Sequence, residues 1–315
     1  MIGYLLRRVA QSIAVVLVVT IIVFVLLHQL PGGPARAVLG NRATPQQLAE
    51  FNQQNGLDRP VPLQYLDYLR RWASGDFGFS YKLNESVGSL LLQRLPKTLI
   101  LNALALLFTI VVAIPVGIYQ AVRRNRLFDY TATGLSFVFY AAPTFFLGLI
   151  LVLLFAQNLK LLPPEAPQSD GVTPIFADFR AMILPIVTLA LLSIAGFSRY
   201  MRSAVLDNLT QDYVRTARSK GCSPNRVLRA HVLRNALIPV ATLIGLSLPA
   251  IFAGALVAES IFNFPGMGLL FWQAAQTSDY PVLLGVVLVT AVATVVGNLL
   301  ADVSYVLLDP RVRFS

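Results

Sequence analysis

Polar and apolar residues are segregated along this chain on the scale of whole segments. Six charge-free apolar runs stand between polar stretches: Val9 to about Gln29, Thr98–Val122, one within Tyr130–Leu159, Ala181 to about Ser198, Asn235–Ala258 and Pro281–Ala301. About 20 residues rising 1.5 Å each cross ~30 Å of hydrocarbon, so each run predicts a spanning helix. An even number of spans puts both termini on one side. The third run is interrupted at Ala142-Pro143-Thr144-Phe145-Phe146, and the fifth carries Pro239 and Pro249. Proline removes a helical hydrogen bond, so a kink is expected at each place. In the fifth run Ala241, Gly245, Ala250, Gly254 and Ala258 form a stripe of small residues, which favours close helix packing. Pro143, Thr144, Phe145, Phe146, Ser247, Ala250 and Gly254 are candidate lining for a passage, with tight packing as the competing reading of the same residues.

The polar stretches are uneven. Residues 31–97 are too many for a plain connection and predict a small structure of their own. Within them Gln64–Trp72 predicts an amphipathic helix, with Leu66, Leu69 and Trp72 at three-residue spacing and Tyr65 and Tyr68 widening the face. Asp76, Gly75 and Gly78 break it. The expected role is a cap on the spanning helices, and contact with an external partner is the alternative. Gln157–Arg180 holds Pro163, Pro164, Pro167 and Pro174, which disfavour long regular elements. Phe262–Tyr280 contains FNFPGMG, a turn amid apolar residues, and predicts a re-entrant turn or short interfacial helix with Trp272 as an anchor.

Composition agrees with this pattern. The chain has 315 residues, 56% hydrophobic and 13% charged, where soluble domains carry about 25% charge. With cytoplasmic termini, Arg7, Arg8, Arg123, Arg124, Arg126, the eight basic residues of 199–234, Arg311 and Arg313 lie inside, opposed by four acids; the outside holds ten of each sign. The net charge of +10 is therefore a matter of topology and of anionic lipid at the inner face, not of nucleic-acid binding. The first run is longer than the core of a signal peptide and predicts an uncleaved helix.

Chemistry is sparse. Cys222 is the single cysteine, and His28 and His231 lack ligand spacing, so no metal or cofactor site and no catalytic set is expected. No phosphate-binding GxxxxGK[ST] loop is present. No ionisable residue lies near the centre of a run; Glu259 and Asp302 sit at run ends, where a helix-end hydrogen bond is favoured over an ion site. What remains is Tyr213–Pro239, a basic stretch between the fourth and fifth runs. It predicts two helices with a break: Gly221 suits a left-handed C′ position, Ser223 an N-cap and Pro224 the first helical position. Thr216, Ala217 and Ser219 leave the first helix slim at its end, as a docking knob would require; a basic membrane-edge loop is the plainer alternative.

This stretch, DYVRTARSKG followed by HVLRNALIP, resembles the EAA segment of binding-protein-dependent ABC importer permeases, in the variant of the peptide/nickel subfamily. Arg215 and Thr216 stand where the general motif has Glu and Ala, and His231 and Arg234 where it has Ile and Pro. The likeness extends from YLLRR through GLDRP, GDFGFSY, PTFFLG and FNFPGMG to LLDPRVR. It implies an all-α membrane protein with the type I ABC importer permease fold: a transmembrane helix in 1–30, an external segment 31–97, a permease core 98–307 with a cytoplasmic coupling segment 199–235 between helices 4 and 5, and a tail 308–315. It further implies a bacterial cytoplasmic membrane location with both termini cytoplasmic. The implied partners are a second permease, one or two ATPase subunits that carry ATP and Mg, and an extracytoplasmic binding protein that delivers a di- or oligopeptide. Thr216, Ala217, Ser219 and Gly221 would contact an ATPase, with Tyr213, Arg215 and Arg218 around them. Nickel complexes and glutathione are alternative cargoes. A stand-alone carrier or channel is the rival class, and nothing in the sequence supports a membrane enzyme.

Overall fold

The computed structural model describes residues 2–29, 33–40, 43–169 and 171–308. The tail with Arg311 and Arg313 falls outside them. The described chain is almost wholly helical. Helix α1 (Ile2–His28) is followed by α2 (Gly33–Leu39), α3 (Pro45–Gln54), α4 (Val61–Ala73) and a two-stranded antiparallel hairpin of β1 (Phe79–Ser80) and β2 (Glu85–Ser86). Then come α5 (Val87–Val122), α6 (Leu127–Ala141), α7 (Thr144–Leu151, prolonged by a π-helical segment to Asn158) and α8 (Thr173–Ala177). Helix α9 (Phe179–Leu209) leads to α10 (Asp212–Ser219). A helix starts as α11 (Pro224–Arg226), passes through a π-helical segment and continues as α12 (Leu233–Ala253). The chain ends with α13 (Leu256–Ile261), α14 (Met267–Thr277) and α15 (Tyr280–Leu308).

Four described helices are long and apolar enough to cross a membrane: Val87–Val122, Phe179–Leu209, Pro224–Phe252 and Tyr280–Asp302. The pair α6–α7 is a fifth candidate, bent by 111° between Ala141 and Thr144. The apolar stretch Ala10–Leu26 of α1 is shorter. The expected kink at Pro143 is thus a corner. Pro143 holds φ −59° and ψ 141°, extended backbone that ends α6 and starts α7 at a new angle. Two other boundaries differ from expectation. Helix α5 begins well before Thr98, because Arg94 and Lys97 interrupt the apolar run without interrupting the helix. Lys97 is 3% exposed and its Nζ donates to the Ser169 carbonyl. The fifth run breaks at Gly254, whose φ of +83° suits glycine, so α12 stops short of Ala258.

Helices α5 and α9 form the central seam. Ala105, Thr109, Ala113, Gly117 and Ala121 recur every fourth residue on α5 and are all buried. At Gly117 an added Cβ would stand 2.5 Å from the Ser198 carbonyl oxygen and 2.7 Å from Met201 Cβ, so the two backbones touch there. The close seam is therefore on α5, and the expected stripe on α12 is only partly used. Gly245 and Ala258 are buried, but Ala250 is exposed. Where α12 does approach α15, Gly297 supplies the space, since a Cβ added there would stand 2.9 Å from Pro249 Cα.

The segment between α1 and α5 folds back on α1. Tyr65, Tyr68, Leu69 and Trp72 of α4 face Phe24 and Val23, while Leu66 is 58% exposed. Leu66 was expected on the buried face. At 100° per residue, positions 65, 68, 69 and 72 share a stripe that 66 does not. Tyr65 Oη meets Thr20 Oγ1 at 2.8 Å, and His28 Nε2 meets Gln64 Oε1 at 2.9 Å. Burial among these rings raises the Tyr68 hydroxyl well above the usual tyrosine pKa.

Candidate functional site

Helix α10 is short, and its sequence explains both ends. Residue 211 is extended, and Asp212 opens the helix, where a negative charge is favourable. At the other end the Cys222 amide donates to the Ala217 carbonyl at 3.2 Å and the Gly221 amide to Arg218 at 2.9 Å. This pair of bonds is a Schellman motif, and Gly221 takes the left-handed position with φ +80°. Ser223 and Pro224 stand at the expected first positions of the next helix, yet the Ser223 side chain makes no capping bond. Its carbonyl accepts from the Val227 amide instead.

The faces of α10 are sharply divided. Val214 and Ala217 are buried against Met201 and Val205 of α9 and against Val227, Val232 and Ala236 beyond the break. Tyr213 is half-buried and its hydroxyl donates to Asn208 Oδ1. Arg215, Thr216, Arg218, Ser219, Gly221, Ser223 and Pro224 are exposed. Arg215 lies 3.6 Å from Asp212, both largely in solvent. A partner on this side would therefore meet Thr216, Ser219 and Gly221 with a ring of guanidinium groups, whereas Ala217 points into the chain's own core.

The candidate passage residues lie on separate elements. Pro143–Phe146 form the α6–α7 corner, with Phe145 and Phe146 each about half exposed. Ser247 is on α12, its hydroxyl donating to the Leu243 carbonyl. Ala250 and Gly254 mark the broken end of that helix. There Asn102 of α5 donates to the Ile251 carbonyl at 3.2 Å, satisfying one group the break releases.

Two constellations escaped the sequence reading. The first is at the mouth formed by α13 and α14. Glu259 has no exposed surface; its Oε2 accepts from the amides of Gly268 at 2.6 Å and Leu269 at 3.0 Å, and its Oε1 from the Thr98 hydroxyl at 2.8 Å. Thr98 Oγ1 in turn accepts from the Met267 amide at 2.8 Å. A carboxylate and a hydroxyl thus satisfy three of the amides that open α14 and pin it to α5 and α13. The FNFPGMG turn is shaped by this knot. A Cβ on Gly266 would lie 2.5 Å from Glu259 Oε2 and from Thr98 Oγ1, and one on Gly268 2.5 Å from Leu256 Cα. Glu259 makes the helix-end hydrogen bonds favoured for it. Trp272 is 45% exposed, as an interfacial anchor would be.

The second is between α6 and α9. Arg202 grips Asp129 through Nε and Nη2, each at 2.7 Å, and Asp129 also accepts from the Asn125 amide. One turn along α9, Arg199 lies over the rings of Phe137 at 5.5 Å and Tyr140 at 4.9 Å. Reading Asp129, Arg199 and Arg202 as topological charges and Phe137 and Tyr140 as part of an apolar run concealed both contacts. Elsewhere Asp302 pairs with Arg8 at 2.9 Å. Among the described residues no group of three or more His, Cys, Asp or Glu is placed to hold a metal ion.

Comparison with known proteins covers the chain from end to end. The family described as binding-protein-dependent transport system inner membrane component matches residues 113–314, and its N-terminal counterpart matches residues 1–102. The chain is 39% identical to the oligopeptide transport system permease protein AppB of Bacillus subtilis over the whole of both proteins. It is 37% identical to the dipeptide transport system permease protein DppB of Escherichia coli, and 36% to the di/tripeptide permease DppB of Pseudomonas aeruginosa, over 99% of each chain. With its apolar helices and matches across both parts, the chain belongs to the family of inner-membrane permease components of binding-protein-dependent transport systems.

Proposed function

We propose that this chain is one of two permease subunits of an ATP-driven importer for di- or oligopeptides. Six spans, made by α1, α5, the bent α6–α7 pair, α9, α11–α12 and α15, place both termini and α10 in the cytoplasm. The excess of arginine and lysine at that face supports this orientation. Residues 31–97 and the α13–α14 mouth lie outside, where a binding protein delivers cargo. The permease core is 98–307, and the passage runs between the two permeases. The chain carries no cofactor; ATP and Mg belong to one or two ATPase subunits docked beneath it. Peptide as cargo is supported by the full-length similarity to permeases named for peptides.

One observation carries the coupling role. Helix α10 buries Val214 and Ala217 in a core shared with α9 and α12, while it offers Thr216, Ser219 and Gly221 to solvent. Closure of an ATPase on that face would move the cytoplasmic ends of both spans together. Co-expression with the cognate ATPases, second permease and binding protein tests it through Gly221→Trp and Gly221→Ala. Both place a side chain at positive φ, at a local cost of about 1 kcal/mol. Nothing lies within 4 Å of an added Cβ, so the rest of this chain tolerates either residue. Tryptophan alone fills the docking space, so it lowers peptide uptake per ATP or releases the ATPase, while alanine retains both. Normal uptake and assembly with tryptophan would sink the coupling role.

A further inference from the structure

We infer that the cleft between α6 and α9 at Arg199 is a binding site for the phosphate of an anionic phospholipid, with an acyl chain lying along α6. The cleft encloses about 480 Å³ and is lined by Asn125, Asp129, Tyr130, Thr133, Gly134, Phe137, Arg199 and Arg202. Its two cations are not equivalent. Arg202 is spent on Asp129, held by two bonds of 2.7 Å. Among the described residues Arg199 donates only from Nε, to the Ala195 carbonyl at 3.2 Å, and its guanidinium lies over Phe137 and Tyr140. Contact with two ring faces restrains the guanidinium and leaves its terminal N–H groups for an acceptor, the arrangement that suits a phosphate. The charge is permanent, because arginine is not deprotonated in proteins.

The level in the bilayer agrees. Arg199 follows the start of α9 at Phe179 by about 30 Å of helix and precedes its end at Leu209 by about 15 Å. That places it one hydrocarbon thickness from the outer end, at the inner headgroup zone. The walls select the source of the anion. Tyr130 and Phe137 are each more than half exposed on one side of the cleft, and Gly134 has nothing within 4 Å of an added Cβ. An apolar trough leading from a fixed cation fits a lipid chain and headgroup, whereas a hydrated phosphate or a peptide carboxylate would gain nothing from the trough.

The inference concerns this chain's own surface, and its test does not depend on substrate or ATPase. Native mass spectrometry of the purified full-length chain is read with phosphatidylglycerol, with phosphatidylcholine of the same chains, and with glycerol phosphate or trialanine as competitors. Wild type retains phosphatidylglycerol about 5–10-fold over phosphatidylcholine, and neither competitor displaces it. R199Q removes that preference, and R199K retains part of it. G134L fills the trough and lowers retention of both lipids; it raises helix propensity in α6, so it folds even if R199Q does not. R71Q, on the external helix α4, leaves the preference intact. Equal phosphatidylglycerol preference in R199Q and wild type, or unchanged retention in G134L, would overturn the site. Displacement by trialanine would overturn it in favour of a peptide subsite, and displacement by glycerol phosphate in favour of a soluble anion.

Discussion

Removing the Glu259 carboxylate should loosen the α13–α14 turn by an amount set by the donors it leaves behind. In Glu259→Ala the Gly268 and Leu269 amides and the Thr98 hydroxyl lose their acceptor in a fully buried place. Each buried unpaired donor costs about 1–3 kcal/mol. Water entering the vacated space would recover part of this, so a net loss of about 3–5 kcal/mol is expected. Glu259→Gln keeps one oxygen, enough for both amides. Its NH₂ then faces Thr98, whose oxygen already accepts from the Met267 amide, and the Thr98 proton loses its acceptor. That variant should lose about 1–2 kcal/mol. Thr98→Val strands the Met267 amide and should fall between the two. Combined with Glu259→Ala it should cost much less than the sum, since both belong to one network. Gly268→Ala reaches a similar loss by another route, because its Cβ would meet Leu256 backbone at 2.5 Å. The assay is apparent melting temperature by fluorescence-detected size exclusion, run with limited proteolysis at the α13–α14 turn. The order alanine, valine, glutamine from most to least destabilised supports the knot. A Glu259→Ala protein as stable as Glu259→Gln, or additive losses in the double variant, would refute the reasoning.

Three further outcomes follow from the packing. Gly117→Ala puts a methyl 2.5 Å from the Ser198 carbonyl oxygen, so α5 and α9 must part, at about 1–3 kcal/mol; a lowered melting temperature checks this, and none is expected for Gly134→Ala, which meets open space. Asp129→Asn leaves Arg202, 28% exposed, without its carboxylate and should cost about 3 kcal/mol, with Arg202→Lys milder because it keeps the charge but loses the fork; both are read by thermal unfolding. Trp72→Ala removes the ring that packs on Tyr68 and Phe77 at the end of α4, where Trp72 is 8% exposed, and should cost about 3 kcal/mol and make residues 43–80 the first site of proteolysis.

What the sequence made legible is what is local. A charge-free run declares a spanning helix because hydrocarbon excludes charge over its whole length. The end of α10 was readable because its signal, Gly221 at the turn between two helical patterns, lies within a few residues of the structure it dictates. The limits have the same origin. Glu259 and Thr98 are 161 residues apart, and Asp129 and Arg202 are 73 apart, so neither pairing leaves a periodic trace. Gly266 and Gly268 looked like turn glycines. Gly266 has a φ of −108°, which any residue adopts, and its need is for space beside a carboxylate. The stripe on α5 went unremarked because small residues spaced by four among leucines look like any apolar run until a partner helix lies on them. On α12 the stripe was visible but its partner sits elsewhere, and Gly297 of α15 supplies the close approach.

The three tight places divide the bundle in a way that bears on the proposed coupling. At one end Glu259 and Thr98 fasten α14 and α13 to α5. Along the centre α5 and α9 touch backbone to backbone at Gly117. At the other end Ala121, Met201, Val205, Val214, Ala217, Val227, Val232 and Ala236 join α5, α9, α10 and the start of α12 in one core. A force applied at α10 would therefore reach α5 and α9 as a single packed body, because close-packed interiors transmit displacement better than they absorb it. The segments able to yield are those the seam does not include: the 111° corner at Pro143 and the break at Gly254. Relative motion should concentrate there, which gives Pro143 and Gly254 the position of hinges. Crosslinks across the Gly117 seam should leave transport intact, whereas a crosslink that fixes α7 to the Gly254 break should stop it.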